Sequence, residues 1–239
     1  MKPLLLTTMS VAVFALTACG SSSPDPVTSP GANAGETSSG GELADAGRCM
    51  PDGPGYEVTE YDTSGDNTPD VRKLFKTMGE GSLSRLVLVC REAALNGDRR
   101  KDIVRLYDDE GRPLREEADR DFDGRIDEIT HFTEGRIALR EIDMSGNGMI
   151  DTKIFYESGE PFRAERDMKG RSSNKAWQPD RWEFYAEGRT VRVGTDLNGD
   201  GKVDRWEYFA GRVLDRVGVD KDHDGTVDSW AKADAPAPK

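Results

Sequence analysis

The sequence is poor in the residues from which most catalytic and metal centres are built. Its 239 residues include only two His and three Cys. They contain no Cys/His zinc spacing, no P-loop and no Ser/His/Asp pattern. Pairs of acidic residues occur throughout, so a glycosidase dyad remains an alternative, although the repeat described below accounts for these acids. The sequence therefore predicts a protein that is not an enzyme.

Apolar residues and positive charges are also in short supply. Hydrophobic residues make up 35% of the chain, which argues against a deep globular core. Lys and Arg number 33 against 45 Asp and Glu, so the net charge is −12. Nucleic acids and anionic lipids bind positively charged proteins, so the acidic balance argues against both, and we expect no nucleic acid partner. The acid excess either keeps the surface soluble or is neutralised by bound cations, and the clustering of Asp favours cations.

One apolar run stands at the N-terminus, where Leu4 to Leu16 follow Lys2. The run is too short for an ordinary transmembrane helix, and it predicts a secretory signal peptide over residues 1–18. Leu16-Thr17-Ala18-Cys19 resembles the lipobox of bacterial lipoproteins. The resemblance implies cleavage before a lipidated Cys19, and Gly20 at the next position implies anchoring at the bacterial outer membrane. The alternative is a plain signal peptide with a chance Cys.

Composition divides the rest of the chain into three parts. Residues 19–47 are rich in Ser, Gly and Pro and lack aromatic residues, so we expect a flexible linker after the lipidated Cys. Its root-mean-square reach would be roughly 30 Å. Residues 48–231 carry the repeats described next. Residues 232–239 are rich in Ala and Pro and are expected to be disordered.

One stretch organises the repeat region. Oxygen-bearing side chains occupy places one, three, five and nine of a loop, with Gly201 at place six and Glu207 at place twelve; the four are Asp196, Asn198, Asp200 and Asp204. This spacing lets alternate side chains converge on a hard cation around a tight turn. The loop resembles an EF-hand calcium loop and the thrombospondin type 3 loop. Its flanks, however, predict strands rather than helices.

The chain holds about seven copies of this loop. Two further copies are complete: Asp119, Asp121, Asp123 and Asp127 form one, and Asp220, Asp222, Asp224 and Asp228 form the other. Weakened copies begin at Asp62, Ala94 and Asp143, and an opened copy runs from Asp167 to Asp180. Ca²⁺ is the expected ligand of the three complete loops. Most copies lack Glu at place twelve, which predicts weak affinity. The alternative is that Asp/Asn-Gly serves only as turn chemistry.

A strand–turn–strand pattern fills the space between loops. Place fourteen is aromatic in six copies: Phe75, Tyr107, Phe132, Tyr156, Tyr185 and Phe209. Gly follows two or three residues later in most of them, as hairpin turns require. This cadence resembles MORN-type and YD-type hairpin repeats. We predict an all-β, elongated antiparallel meander of about seven 24-residue β-hairpin repeats, with a β-solenoid as the alternative.

Cys49 and Cys90 form an even pair once Cys19 is assigned to the lipid anchor. An exported protein is expected to oxidise such a pair, so we predict a disulfide that closes a loop of about 40 residues. The alternative is two separate thiols. The bridge would reinforce the first repeat, which has no neighbour on one side.

Two functions remain open. Trp182, Trp206 and Trp230 are 24 residues apart, so they are predicted to form a column on one sheet face, and Trp177 lies in the opened loop nearby. In the first hypothesis the array is a membrane-anchored, calcium-binding scaffold that presents a face to an envelope protein, and the Trp residues pack as hairpin core. In the second, the Trp column stacks on sugar rings and binds a polysaccharide.

Overall fold

The computed structural model describes residues 48–173 and 176–233. The predicted signal peptide, Cys19, the linker over residues 19–47 and the tail beyond residue 233 lie outside the described residues. So does Lys175 of the opened loop.

The described chain is a single sheet of fourteen strands. They are β1 (Tyr56–Tyr61), β2 (Val71–Met78), β3 (Arg85–Ala93), β4 (Ile103–Tyr107), β5 (Pro113–Ala118), β6 (Glu128–Thr133), β7 (Arg136–Ile142), β8 (Thr152–Glu157), β9 (Glu160–Arg166), β10 (Arg181–Ala186), β11 (Arg189–Thr195), β12 (Arg205–Ala210), β13 (Val213–Val219) and β14 (Ser229–Lys232). Each strand pairs with the next one antiparallel, so the sheet order is the chain order and β1 and β14 are the edges. The predicted all-β meander is confirmed, and antiparallel pairing excludes the solenoid alternative.

Helical structure is almost absent from the described residues, where a short 3-10 helix, Gly81–Leu83, stands between β2 and β3. No helix in this part of the chain is long and apolar enough to cross a bilayer. The last strand ends at Lys232, one residue beyond the predicted end of the repeat domain.

Tight turns join the strands at one end of the sheet. At three of these turns two consecutive residues have positive φ: Glu134 and Gly135, Ser158 and Gly159, and Glu187 and Gly188. Two left-handed residues in a two-residue connection match the right-handed twist of the strands they join. The turns predicted from the repeated Gly are therefore confirmed.

The register defines two faces. Trp182, Gly194, Trp206, Gly218 and Trp230 lie opposite one another on β10 to β14 and share one face, which we call the Trp face. The predicted Trp column is thus confirmed as a geometric feature. Because the sheet is a single layer, the buried apolar clusters are small; one of them contains Ile126 and Ile129.

The N-terminal end of the sheet is closed by the predicted disulfide. Cys49 and Cys90 are bonded, with a Cα–Cα distance of 5.4 Å. Both are buried with Leu74 and Val104 in an apolar cluster. The backbone N–H of Cys49 donates to the Glu92 carboxylate at 3.0 Å. The segment before β1 therefore lies against the Trp face at β3 and shields that end of the sheet.

Candidate metal centre

The meander gathers every acidic loop at one end of the sheet. In an antiparallel meander, alternate connections lie at the same end of the strands, and the tight turns take the other end. We call this end the acidic edge; its loops are residues 62–70, 94–102, 119–127, 143–151, 167–180, 196–204 and 220–228. Consecutive loops are separated by two strand spacings, about 10 Å, which brings long side chains of one loop within reach of the next.

Six of these loops share a backbone conformation with one more left-handed residue than the sequence predicts. Place six has positive φ, as expected from Gly at that place in four of them. Place four is left-handed as well; the residues there are Gly65, Gly97, Phe122, Gly146, Gly199 and His223. Phe122 and His223 adopt a conformation that side chains with a Cβ usually avoid. The sequence signal at place four was missed because two of the three complete loops carry no Gly there.

Where place one is Asp, its carboxylate anchors the loop through the backbone. Asp119 accepts the N–H of Phe122 at 2.7 Å and that of Gly124 at 2.8 Å. The place-nine carboxylate binds the start of the loop, since Asp127 accepts the N–H of Arg120 at 2.7 Å. These bonds explain why place nine is Asp in every weakened copy and place one is Asp in all of them except the Ala94 copy, and they supply turn chemistry without a metal.

Neighbouring loops are joined directly to one another. The N–H of the first residue in each loop donates to the C=O of the ninth residue, or of Asp180, in the loop before it. The six bonds, at 2.8–2.9 Å, are Ala94 to Asp70, Asp119 to Asp102, Asp143 to Asp127, Asp167 to Asp151, Asp196 to Asp180, and Asp220 to Asp204. This stacking buries acids at the first and last places of the inner loops, and Asp196 is 0% exposed. The acidic edge is therefore one continuous hydrogen-bonded row.

Two loops bring three carboxylates together. Oxygens of Asp119, Asp121 and Asp127 lie within 4.8 Å of one another, and Asp220, Asp222 and Asp228 form a second such group. Among the described residues, no other trio of His, Cys, Asp or Glu converges in this way. Oxygen clusters of this kind suit hard divalent cations such as Ca²⁺.

In the group around Asp119, burial and mutual repulsion make the charged form of the carboxylates less favourable. Burial raises the pKa of Asp119, and backbone N–H groups offset this only in part, because the charge of Asp127 raises it further. Burial likewise raises the pKa of Asp127, and the charges of Asp121 and Asp123 add to the effect. A positive ion at this position would therefore remove a repulsion that the folded chain leaves in place.

The second group shows the same repulsion at a more exposed position. A backbone N–H from Asp224 lowers the pKa of Asp222, but the charges of Asp224, Asp228 and Asp220 outweigh it and raise the pKa. Asp228, in the last loop of the described residues, is exposed.

The Asp196 loop differs, because other residues of the chain compensate its charge. The Arg171 guanidinium donates to Asp196 at 3.1 Å, and His223 Nδ1 lies 2.6 Å from the Asp204 carboxylate. Burial raises the pKa of Asp196, but the N–H groups of Gly199 and Gly201 together with Arg171 outweigh it and lower the pKa. The pKa of Asp204 is also lowered, since His223 and two backbone N–H groups outweigh burial.

The remaining predicted ligands lie at the rim of the loops or outside them. Asp123, Asp200 and Asp224 at place five accept the N–H two residues later at 2.7–2.8 Å. Asn198 does the same for Asp200 at 2.8 Å. Glu207 is part of β12, and its carboxylate pairs with Arg205 at 2.8 Å. The structure thus does not bring Glu207 into a carboxylate cluster of the described residues.

The four Trp residues have different surroundings. Trp177 lies in the opened loop and donates its indole N–H to Glu165 at 2.7 Å. The Lys153 ammonium lies 4.8 Å from the centre of the Trp177 ring. Trp182 and Trp206 are half-buried, whereas Trp230 is 51% exposed on the edge strand. The column therefore combines packing against the sheet with an accessible aromatic surface.

No family model matches this sequence. No curated protein matches it. Part of the accessory secretory protein 1, 2 and 3 structure of Streptococcus pneumoniae resembles the chain, with 16% identity, 64% of this chain and 21% of that chain covered, and a TM-score of 0.29.

The GtfA/B complex bound to UDP and GlcNAc is similar with 14% identity over 62% of this chain and 25% of that chain, at a TM-score of 0.25. A protein of unknown function from Bacteroides fragilis NCTC 9343 has 9% identity over 70% of this chain and 94% of that chain, at a TM-score of 0.15. The chain spans a quarter or less of the first two structures, and likenesses at these TM-scores carry no argument about function.

Proposed function

We propose that this protein is a non-enzymatic, calcium-binding scaffold of the bacterial cell envelope, anchored to the outer membrane through Cys19. In this proposal Ca²⁺ binds the acidic edge, and a sheet face is presented to a partner in the envelope. The observation that carries it is the presence of three clustered carboxylates in each of the Asp119 and Asp220 loops. Within each group the carboxylates repel one another, and no basic side chain of the described residues bonds to them.

The order of affinity among the loops follows from their internal partners. The Asp119 and Asp220 loops bind Ca²⁺ first, because no basic side chain of the described residues bonds to their clustered carboxylates. The Asp196 loop binds more weakly, because Ca²⁺ must displace Arg171 from Asp196 and His223 from Asp204. Since place twelve supplies no bidentate Glu to the clusters, we expect dissociation constants of roughly 10⁻⁴–10⁻³ M, the range of extracellular modules.

Calcium would act on the whole row. The ion neutralises carboxylates that anchor the loop backbone, and each loop is bonded to its neighbour through the first and ninth residues. Binding to the folded state alone stabilises it by about 2.7 kcal/mol per site when Ca²⁺ is in hundredfold excess over Kd. The role of the ion is therefore to stiffen the acidic edge rather than to support a reaction.

Direct titration of the full chain with Ca²⁺ tests the sites. We expect the double variant Asp220→Asn with Asp222→Asn to bind fewer ions than the native chain. Asp109→Asn, in a tight turn at the opposite end of the sheet, is the matched control and should bind as the native chain does. Equal stoichiometry in all three proteins would overturn the assignment.

The anchor is tested separately. Cys19→Ala should release the protein from the membrane fraction or block its processing, because the lipid would be lost. Unchanged membrane attachment of this variant would rule out the lipid anchor without affecting the calcium sites.

A second candidate is supported by the exposure of Trp230 and by the polar surroundings of the column: the sheet face binds a polysaccharide.

A further inference from the structure

The Trp face carries a second row of side chains that alternates between aromatic and cationic residues. On successive strands β8 to β13 the register places Phe155, Arg163, Phe184, Arg192, Tyr208 and Arg216 opposite one another. We call these six residues the Arg–aromatic ladder. Lys232 continues the row on β14 opposite Arg216.

The guanidinium groups of the ladder lie on the rings beside them. Arg192 Cζ is 3.8 Å from the Phe184 ring centre, and Arg163 Cζ is 4.2 Å from that of Phe155. Arg216 Cζ lies 4.8 Å from the Tyr208 centre and 5.1 Å from that of Trp230. Stacking holds each planar group in place while leaving its N–H donors able to bond in plane.

This surface is positive on a strongly negative protein. The two rows nearest the acidic edge on the Trp face contain no Asp or Glu between β10 and β14; their residues are Trp182, Gly194, Trp206, Gly218, Trp230, Phe184, Arg192, Tyr208, Arg216 and Lys232. No carboxylate of the described residues forms an ion pair with Arg192 or Arg216. By contrast, Arg163 pairs with Glu165 at 3.3 Å.

Glycine keeps the aromatic surface shallow. Gly218 lies under Trp230, since a Cβ at Gly218 would come within 2.9 Å of the ring. The ring therefore lies against the strand, while the residue remains 51% exposed. A broad aromatic surface at the edge of the sheet, bordered by Arg216 and Lys232, results.

We propose that the Trp face from β10 to β14 binds an anionic polysaccharide, with its carboxylate groups on Arg192, Arg216 and Lys232 and its sugar rings against Trp206, Tyr208 and Trp230. This inference rests on the scaffold function, because it names the partner class of the presented face; it does not depend on calcium. The Arg residues of the ladder recur on every second strand, about 10 Å apart, and Lys232 lies opposite Arg216 on the adjacent strand, where both can bind the same carboxylate. That spacing is comparable with the length of a disaccharide unit.

Spacing favours a polysaccharide over a nucleic acid. A nucleic acid carries a phosphate about every 3.4 Å per strand, so the ladder would leave most of its charges unpaired beside a protein of net charge −12. A polymer with one carboxylate per disaccharide presents its charges at the spacing of the Arg residues. Arg also binds carboxylates with two parallel hydrogen bonds, which gives the contact its specificity.

Hyaluronan oligosaccharides are a suitable probe, because they carry one uronate per disaccharide. We expect the full chain to bind them in calorimetry, more tightly at low salt than at high salt. Arg192→Gln with Arg216→Gln should weaken binding at least about tenfold, since two charge-assisted contacts are removed. Arg181→Gln with Arg205→Gln, on the opposite face of the neighbouring strands, is the matched control and should leave binding unchanged.

Several results would overturn the proposal. These are absence of hyaluronan binding, equal binding of neutral cellohexaose, equal binding of single-stranded DNA, and equal effects of the two double variants. Each titration is run in calcium and in chelator, with the fold of each protein checked by circular dichroism. Hyaluronan binding that persists in chelator, while Ca²⁺ itself fails to bind, would overturn the calcium sites and support the ladder.

Discussion

At the scale of single residues, a side chain of the protein can take the place of a bound cation. Arg171 extends from the opened loop to Asp196, and His223 reaches back to Asp204. These contacts join residues 25 and 19 positions apart in the sequence. They lower the pKa values of the carboxyls at places one and nine of the Asp196 loop. At the same places in the Asp119 loop the pKa values are raised. Loops with nearly the same sequence pattern therefore differ in how strongly they need a metal.

Replacement of Arg171 tests this difference. Arg171→Gln leaves the buried Asp196 without its cation, so we expect a lower melting temperature in chelator than for the native chain. Calcium should then stabilise the variant by more than it stabilises the native protein, because the Asp196 loop no longer holds a competing cation. Arg189→Gln, at a tight turn on the opposite end, is the control. An unchanged calcium response in Arg171→Gln would show that Arg171 does not compete with the ion.

Glu141 provides a residue-scale test that involves no metal ligand. Burial raises its pKa, but contacts of 2.8 Å with His131 and with Lys153 outweigh burial and lower the pKa from 4.5 to about 2. A carboxyl with a depressed folded pKa stabilises the protein above its unfolded pKa, and this stability is lost as pH falls through the folded value. Glu141→Gln should therefore cost about 3 kcal/mol at neutral pH.

The stability difference between Glu141→Gln and the native chain should shrink as pH falls from 4.5 towards 2. Urea unfolding across that range measures it. Glu157→Gln, which removes an exposed carboxylate near a tight turn, is the control and should show little difference at any pH. A difference that stays constant down to pH 2 would contradict the assigned pKa.

At the scale of elements, the strands and their turns follow from the sequence because their physics is local. Gly at the left-handed turn positions and a fixed 24-residue repeat define the hairpins and place the Trp residues on one face. The disulfide likewise follows from an even pair of Cys in an exported chain. The backbone conformation inside the loops is harder to predict from the sequence, since Phe122 and His223 adopt positive φ although neither is Gly.

Contacts between loops could not be predicted from the sequence. Which Arg bonds to which Asp depends on the stacking of loops two strands apart, and the repeat pattern is the same whether or not Arg171 reaches Asp196. The packing role of the apolar residue at place eight was not predicted either. Val203 and Val227 at that place pack on Gly194 and Gly218, where a Cβ would meet them at 3.0 Å. An apolar residue recurring between acidic ones was the signal that could have revealed this packing.

Gly218 tests the packing of β13 against β14. A Cβ there would lie 2.9 Å from the Trp230 ring and 3.0 Å from Val227. Gly218→Ala should therefore destabilise the protein by about 1 kcal/mol, despite the usual entropic advantage of Ala, and shift Trp fluorescence as the ring moves. Gly53→Ala is the control, because nothing lies within 4 Å of a Cβ at Gly53. A more stable Gly218→Ala protein would show that the ring yields without cost.

At the scale of the whole molecule, one architecture produces two surfaces of opposite charge. The meander places all the acidic loops at one end of the strands, while the Trp face of β10 to β14 carries Arg192, Arg216 and Lys232. Little apolar area is buried in a single-layer sheet, so its stability depends on strand pairing, on the Cys49–Cys90 bridge and on the state of the acidic edge. We infer that cations at this edge are part of the fold's stability.

Thermal unfolding in millimolar calcium and in chelator tests this central claim most directly. We expect calcium to raise the melting temperature, with a smaller effect of magnesium because that ion demands a tighter octahedral shell. The double variant Asp119→Asn with Asp127→Asn should lose part of the shift, since it removes two of the three clustered carboxylates. Identical melting curves of the native chain in calcium and in chelator would contradict the account and leave the acidic loops as hydrogen-bonded turns.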